Sequence, residues 1–126
     1  MKLKIKKLDK LTDDRGWLAE ILSDKDSDGK ELGLVLITTA HPGKTKGNHY
    51  HKRKTEWYCV ISGKGLLRVW NDSEKEEMEL SSVDLALVEI PTGYFHSITN
   101  IGEEELHLLA IVSESFNEGD PDTYYE

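Results

Sequence analysis

Four residues in this chain have the types and spacing to hold a metal ion. His49 and His51 stand two apart, Glu56 follows five residues later, and His96 comes after a Pro91-x-Gly93 turn. Side chains alternate between faces along a β-strand, so His49 and His51 share a face wherever their segment is extended. Two imidazoles on one face are half of a metal site, and a carboxylate returning from the next strand supplies a third ligand. His96 is the fourth. Three ring nitrogens and a carboxylate suit a divalent metal: zinc is the first expectation, and Fe, Mn or Ni fit the same ligand types.

The elements that must position these residues read as strands. Residues 1–10 alternate Leu3, Ile5 and Leu8 with lysines, the pattern of an edge strand whose charges discourage further pairing. Asp13-Asp14-Arg15-Gly16 is a turn, and Trp17–Leu22 a second strand with Trp17, Ala19 and Ile21 on one face. Ser23–Lys30 is polar and turn-rich. It lacks the register and closing glutamate of a calcium loop, and is expected to be a plain loop. Leu32–Thr39 is apolar on both faces, as in a strand buried in a barrel or against a partner. Ala40–Asn48 is expected to be the loop leading into the histidines.

Glu56–Ser62 places Glu56, Tyr58 and Val60 on one face, with Trp57, Cys59 and Ile61 on the other. With Glu56 toward a cavity, Trp57 faces outward, toward a second sheet or a second subunit. Gly63-Lys64-Gly65 reads as a hairpin turn with Leu66–Trp70 as the returning strand, followed by a charged, exposed stretch over Asn71–Glu77. Further strands are expected at Glu79–Leu80, Leu85–Ile90, His96–Asn100 and Leu106–Ser113. Many short strands with almost no helical periodicity predict an all-β sandwich or barrel. The tail Phe116–Glu126 is polar, but its adjacent Tyr124 and Tyr125 predict docking onto the barrel or a neighbouring subunit.

Composition narrows the function classes. The 126 residues fit a single domain spanning 1–126, with 116–126 as its tail. Lys and Arg number 16 against 24 Asp and Glu, a formal charge of −8, which argues against binding nucleic acid or an anionic membrane. A local basic cluster, Lys44, Lys46, Lys52, Arg53 and Lys54, surrounds the histidine pair. It reads equally as a solvated hairpin or as phosphate recognition. The single cysteine, Cys59, forms no internal disulfide and lies in an apolar run, as a buried structural thiol does. With no signal peptide and no long apolar stretch, the expected location is cytoplasmic.

The two histidine segments resemble the motifs of the cupin superfamily. The first matches throughout: Gly43, five residues, His49-x-His51, four residues, Glu56, six residues, Gly63. The second matches in its later half, Pro91-x-Gly93, two residues, His96, three residues, Asn100, and departs where Leu85 stands in place of a glycine. The resemblance implies a double-stranded β-helix, the cupin jelly roll. The runs Thr45–His51, Ser62–Gly65 and Asp120–Glu126 further resemble the carboxy-terminal cupin domain of capsular-polysaccharide sugar-nucleotide epimerase/reductases. More distantly, Asp14-Arg15-Gly16 and Lys46–His49 are similar to the rhamnose-pathway 3,5-epimerases and to 3,4-ketoisomerases.

These resemblances imply a nucleotide-sugar substrate and epimerisation beside the C4 ketone of a 4-keto-6-deoxyhexose. Such a reaction needs a base near the carbon and an electrophile on the ketone oxygen. In metal-free rhamnose-type enzymes the histidine matching His49 is the base. A metal-bound ring nitrogen cannot also take a proton, so with metal present the role falls to Lys46 or Tyr58. The late-strand tyrosine acid of the rhamnose-type enzymes has no match near Ser113–Phe116. Lys46 and Arg68 are the expected substrate-binding cations; Arg68 either reaches a cavity to hold pyrophosphate or pairs with acids on the rim. His41, His107, Tyr94 and Phe95 read as packing residues. No Gly-rich dinucleotide fingerprint occurs, so no nicotinamide chemistry is expected. A noncatalytic sugar-binding cupin and a small-molecule metal dioxygenase are the alternatives. A homodimer through a strand edge and the Trp57 face is expected in each case.

Overall fold

The computed structural model describes residues 2–126, so Met1 of the expected first strand lies outside the described residues. In chain order come β1 (Lys4–Lys7), β2 (Leu11–Asp13), β3 (Gly16–Leu18), a single helical turn α1 (Asp24–Ser27), β4 (Leu34–Ala40) and β5 (Thr45–Tyr50). Then follow β6 (Glu56–Ser62), β7 (Lys64–Trp70), β8 (Lys75–Ser81), β9 (Ala86–Ile90), β10 (Phe95–Asn100), β11 (Leu106–Val112) and β12 (Tyr124–Tyr125). Two five-stranded antiparallel sheets result, ordered β1-β9-β6-β11-β4 and β12-β5-β10-β7-β8, with β2–β3 a separate hairpin. From β4 onward consecutive strands pass from sheet to sheet, apart from the β7–β8 hairpin, which is the double-stranded β-helix expected from the motifs.

The core lies between the sheets and follows directly from strand alternation. Tyr58 and Val60 of β6, Leu67 and Val69 of β7, Ile98 of β10, and Leu108 and Ala110 of β11 all enter it. A second apolar cluster forms on the outer side of the first sheet. There Trp57, Cys59, Leu87 and Ile111 are covered by Leu8, Ala19, Ile21 and Leu22 from the amino-terminal segment.

That second cluster corrects the reading of Trp57. Its side chain does point away from Glu56, but it is only 1% exposed, and its Nε1 donates to Glu89 at 3.2 Å. The chain's own amino-terminal segment covers it, so the Trp57 side chain itself is not offered to a second subunit. The expected strand over Trp17–Leu22 ends at Leu18, because the residues beyond it serve as irregular cover for the sheet. Leu85, where the motif has a glycine, is buried in the same cluster, and its carbonyl accepts from Leu8 N at 2.9 Å.

Three other expectations change. The segment read as a plain loop contains α1, started by a capping box in which Ser23 and Asp26 exchange side-chain and backbone hydrogen bonds. Gly63 does not close a hairpin: β6 and β7 belong to different sheets, so the glycine makes a crossover. Its φ is 89°, and a Cβ there would lie 3.1 Å from the Glu105 carbonyl oxygen. Finally, β4 is an edge strand rather than a buried one, with Val35 and Ile37 each 60% exposed.

Candidate metal centre

Strand pairing assembles the site. β5 and β10 are antiparallel neighbours in which His49 lies opposite His96, and β6 delivers Glu56 from the facing sheet. His51 follows the end of β5 and is held where Gly93 N donates to its carbonyl at 2.7 Å. The candidate ligand atoms of His49, His51, Glu56 and His96 all lie within 4.8 Å of one another. The expected loop before the histidines is mostly strand, since β5 already begins at Thr45.

A bulge in β5 shapes the mouth of this site. Gly47 pairs with Ser97 and His49 with His96, which leaves Asn48 as an extra residue between them. Gly47 has φ 101° and Asn48 φ 60°, and a Cβ on Gly47 would come within 2.8 Å of the His96 carbonyl oxygen. Only glycine fits there. Lys46 pairs opposite the core residue Ile98, as His49 pairs opposite His96, so the extra residue turns Lys46 and His49 to the same face. Without it, residues three apart would point oppositely. Lys46 is exposed.

The donor set fits a divalent cation. His96 is 1% exposed, and its Nδ1 lies 3.4 Å from the Tyr94 carbonyl oxygen. Its Nε2 is buried without a hydrogen-bond partner, 3.1 Å from Glu56 Oε1 but poorly aligned with it. A buried nitrogen left unpaired and aimed at a carboxylate and two more imidazoles is what a metal ligand looks like without its ion. His51 Nε2 sits 2.6 Å from the same Glu56 oxygen.

Electrostatics agree with this. Burial and the neighbouring His96 and His51 lower the His49 pKa to about 4, leaving a neutral ring with a free lone pair at neutral pH. Burial alone would raise Glu56, but the His51 hydrogen bond and the close approach of His96 outweigh it and hold the pKa at about 2. For His51, burial acts against the charged form, yet the Glu56 hydrogen bond and charge and the Asp122 carbonyl win, and the net shift is upward. Tyr58 lies beside the cluster, its ring 5.8 Å from that of His96. Burial and the Glu56 charge push its phenol well above the usual range, so the group stays protonated at neutral pH.

Arg68 lies elsewhere. It pairs opposite Ser97 and alternates with the core residues Leu67 and Val69, which turns it to the outer face of its sheet. There its Nε donates to Glu77 at 2.7 Å. Arg68 thus makes the rim ion pair, and it also lines a cavity on that outer face with Asn48, Trp70 and Lys75. The basic cluster also divides. Arg53 pairs with Glu114 at 2.7 Å and Asp120 at 3.3 Å, while Lys52 and Lys54 lie over the rings of Tyr124 and Phe116. Lys44 and Lys46 remain exposed. His41 faces Glu105 at the surface, and neither it nor His107 joins the cluster.

Sequence reasoning missed Asp122. The tail docks onto the barrel: Tyr124 pairs opposite Tyr50 and Tyr125 opposite His49. Just before this strand, Asp122 is 2% exposed with φ 50°. Its carbonyl accepts from His51 Nδ1 at 2.7 Å, and its carboxylate accepts the backbone N–H groups of Lys52, Arg53 and Lys54. The signal was an aspartate after a proline, a residue type that tolerates left-handed backbone.

With this geometry in place, the chain was compared with known proteins. Residues 11–124 match the family described as the polysaccharide biosynthesis C-terminal domain. A Pseudomonas aeruginosa protein, UDP-2-acetamido-2,6-beta-L-arabino-hexul-4-ose reductase, is 35% identical over 115 residues, covering 90% of this chain and 30% of that protein. The capsular polysaccharide assembling protein CapF of Staphylococcus aureus has a TM-score of 0.72 at 38% identity, covering 94% of this chain and 34% of CapF. The chain thus spans about a third of the length of these two relatives. QdtA, a sugar 3,4-ketoisomerase from Thermoanaerobacterium thermosaccharolyticum solved with TDP, superposes at TM-score 0.83 with 21% identity, covering 98% of this chain and 88% of QdtA, a likeness of fold. Matched over nearly its whole length, this chain belongs to the polysaccharide biosynthesis C-terminal domain family and has the cupin fold.

Proposed function

We propose that the chain is a metal-binding sugar-nucleotide epimerase or isomerase acting next to the C4 ketone of a nucleotide-linked 4-keto-6-deoxyhexose in surface-polysaccharide biosynthesis. The observation that carries this reading is the unpaired, buried His96 Nε2 converging with His49, His51 and Glu56. Zinc is the first choice, with Fe, Mn or Ni served by the same ligands. A divalent metal held there supplies an electrophile for the ketone oxygen. His49, with its pKa near 4, is a good neutral ligand and a weak base at neutral pH, which favours ligation over the metal-free role.

Tyr58, kept protonated, donates toward the oxygen on which negative charge develops. Lys46, turned to the same face by the bulge, is the exposed cation available to an anionic substrate or to the proton in transfer. The relatives' printed names place them in sugar-nucleotide and capsular-polysaccharide chemistry, which supports this substrate class. Two copies pair along the β4 edge, where Val35 and Ile37 are exposed. Light scattering that gives a monomer would remove that pairing.

The test is metal content and proton exchange together. Protein purified without added metal or chelator should carry near-stoichiometric metal, lost in His49→Ala. In heavy water it should place deuterium beside the ketone of a 4-keto sugar nucleotide from a UDP- and dTDP-linked panel. Metal-free wild-type protein, or no exchange across the panel, overturns the reading.

A further inference from the structure

We propose that Asp122 is a positioning residue for His51, and that the carboxy-terminal segment is a clasp that sets the metal affinity of the site. The inference rests on the metal-binding reading above. Asp122 grips the ligand from two sides at once. Its backbone carbonyl takes the Nδ1 proton of His51 at 2.7 Å, which fixes the ring with Nε2 facing Glu56 at 2.6 Å, the atom left to bind a metal. Its carboxylate accepts from the three backbone N–H groups that directly follow His51, at 3.1, 2.9 and 2.9 Å. A carboxylate has enough lone pairs on two oxygens for three donors, whereas an amide offers one acceptor oxygen.

The clasp is separable from the core. Neither apolar cluster contains a residue beyond Val112. What holds the segment is polar and peripheral: the short β12 pairing, the Tyr50–Tyr124 stack at 5.2 Å, the Tyr125 ring edge-on to His49 at 5.6 Å, and the contacts of Lys52, Arg53 and Lys54 with Tyr124, Asp120, Asp122, Glu114 and Phe116. A substitution at Asp122 therefore loosens one ligand without opening the barrel. Asparagine is the conservative choice, since it also tolerates the φ of 50°.

The experiment compares wild-type protein, Asp122→Asn and Asp120→Asn. Asp120 lies in the same segment, but its side chain pairs with Arg53 at the surface and makes no contact with His51. Zinc and cobalt dissociation constants are measured by competition with a chromophoric chelator on metal-free protein, with circular dichroism as the fold control. Asp122→Asn should bind about 10–100-fold more weakly, with altered cobalt d–d bands, and Asp120→Asn should be unchanged within about twofold. Long-range 1H–15N spectra of metal-free protein give a readout independent of metal. In the neutral ring of the wild type the proton should sit on His51 Nδ1, and in Asp122→Asn part of it should move to Nε2.

Equal metal affinity and an unchanged Nδ1 signal in a folded Asp122→Asn protein overturn the clasp and leave the metal reading standing. Wild-type protein that binds neither metal overturns the metal reading, and the Nδ1 signal still decides whether Asp122 positions His51. If Asp122→Asn does not fold, a Tyr124→Ala, Tyr125→Ala protein loosens the clasp from its far end and is held to the same two measurements.

Discussion

Strand β10 carries two neighbouring residues with opposite surroundings. His96 faces inward to the metal cluster, while Ser97 faces outward beside Arg68 on the other side of the same sheet. The inner groups are buried, and at His96 Nε2 a polar atom is unpaired. The outer Arg68 is half exposed and satisfied by Glu77. Both faces present residues fit for chemistry, and only one leaves a polar atom in want of a partner. Unsatisfied burial that converges with other donors marks the site here; Glu76 Oε2 and His107 Nδ1 are also buried and unpaired but join no such cluster.

The sharpest way to break that contrast is Glu56→Gln, which keeps the shape and removes the charge. Metal content measured by mass spectrometry should fall from near one per chain to below about a tenth, and solvent exchange should vanish. Retention of full metal would mean that the inner face is no more a site than the outer one. Tyr58→Phe is next: with metal content unchanged, deuterium incorporation should slow by about 10²–10⁴-fold. An unchanged rate would return Tyr58 to the core.

Acid titration is a milder probe of the inner face. His49 and Glu56 have folded pKa values of about 4 and 2, below their ordinary 6.5 and 4.5. The unfolded chain then binds more protons, so both contribute stability that is present above the ordinary values. The His49 share is lost as pH falls from 6.5 to 4, and the Glu56 share from 4.5 to 2. His51, shifted upward, acts outside this range: its share is fully present below 6.5 and is lost as pH rises above it. Melting of metal-free protein should drop a few degrees more between pH 7 and pH 4 in the wild type than in His49→Ala. Equal drops would place the shift elsewhere. The smallest effect belongs to the outer face. Arg68→Ala should change melting, metal content and exchange by less than about twofold or 1 kcal/mol, as an exposed ion pair does.

Much of this molecule was legible from local pattern. Period-two alternation assigned faces to Glu56, Trp57, Tyr58 and Cys59 correctly, because face depends only on backbone geometry. The same rule failed between Lys46 and His49, since a bulge inserts one residue and reverses the parity. The face of Trp57 was readable, but its cover was not, because Ala19–Leu22 reach it only through the tertiary path of the amino terminus. Arg68 shows the same limit: being two residues from Trp70 says nothing about which side of the sheet holds the histidine cluster.

The sequence by itself determined the donor set, the shared face of the histidine pair and the all-β character, for these are consequences of residue type and a repeat of two. Only the tertiary structure decided that β6 and β7 part into different sheets, that His96 comes to rest opposite His49, and that Asp122 closes on His51. Those facts depend on pairing between residues tens of positions apart, and partner choice in a sheet is written in the fit of whole faces, which no local window contains.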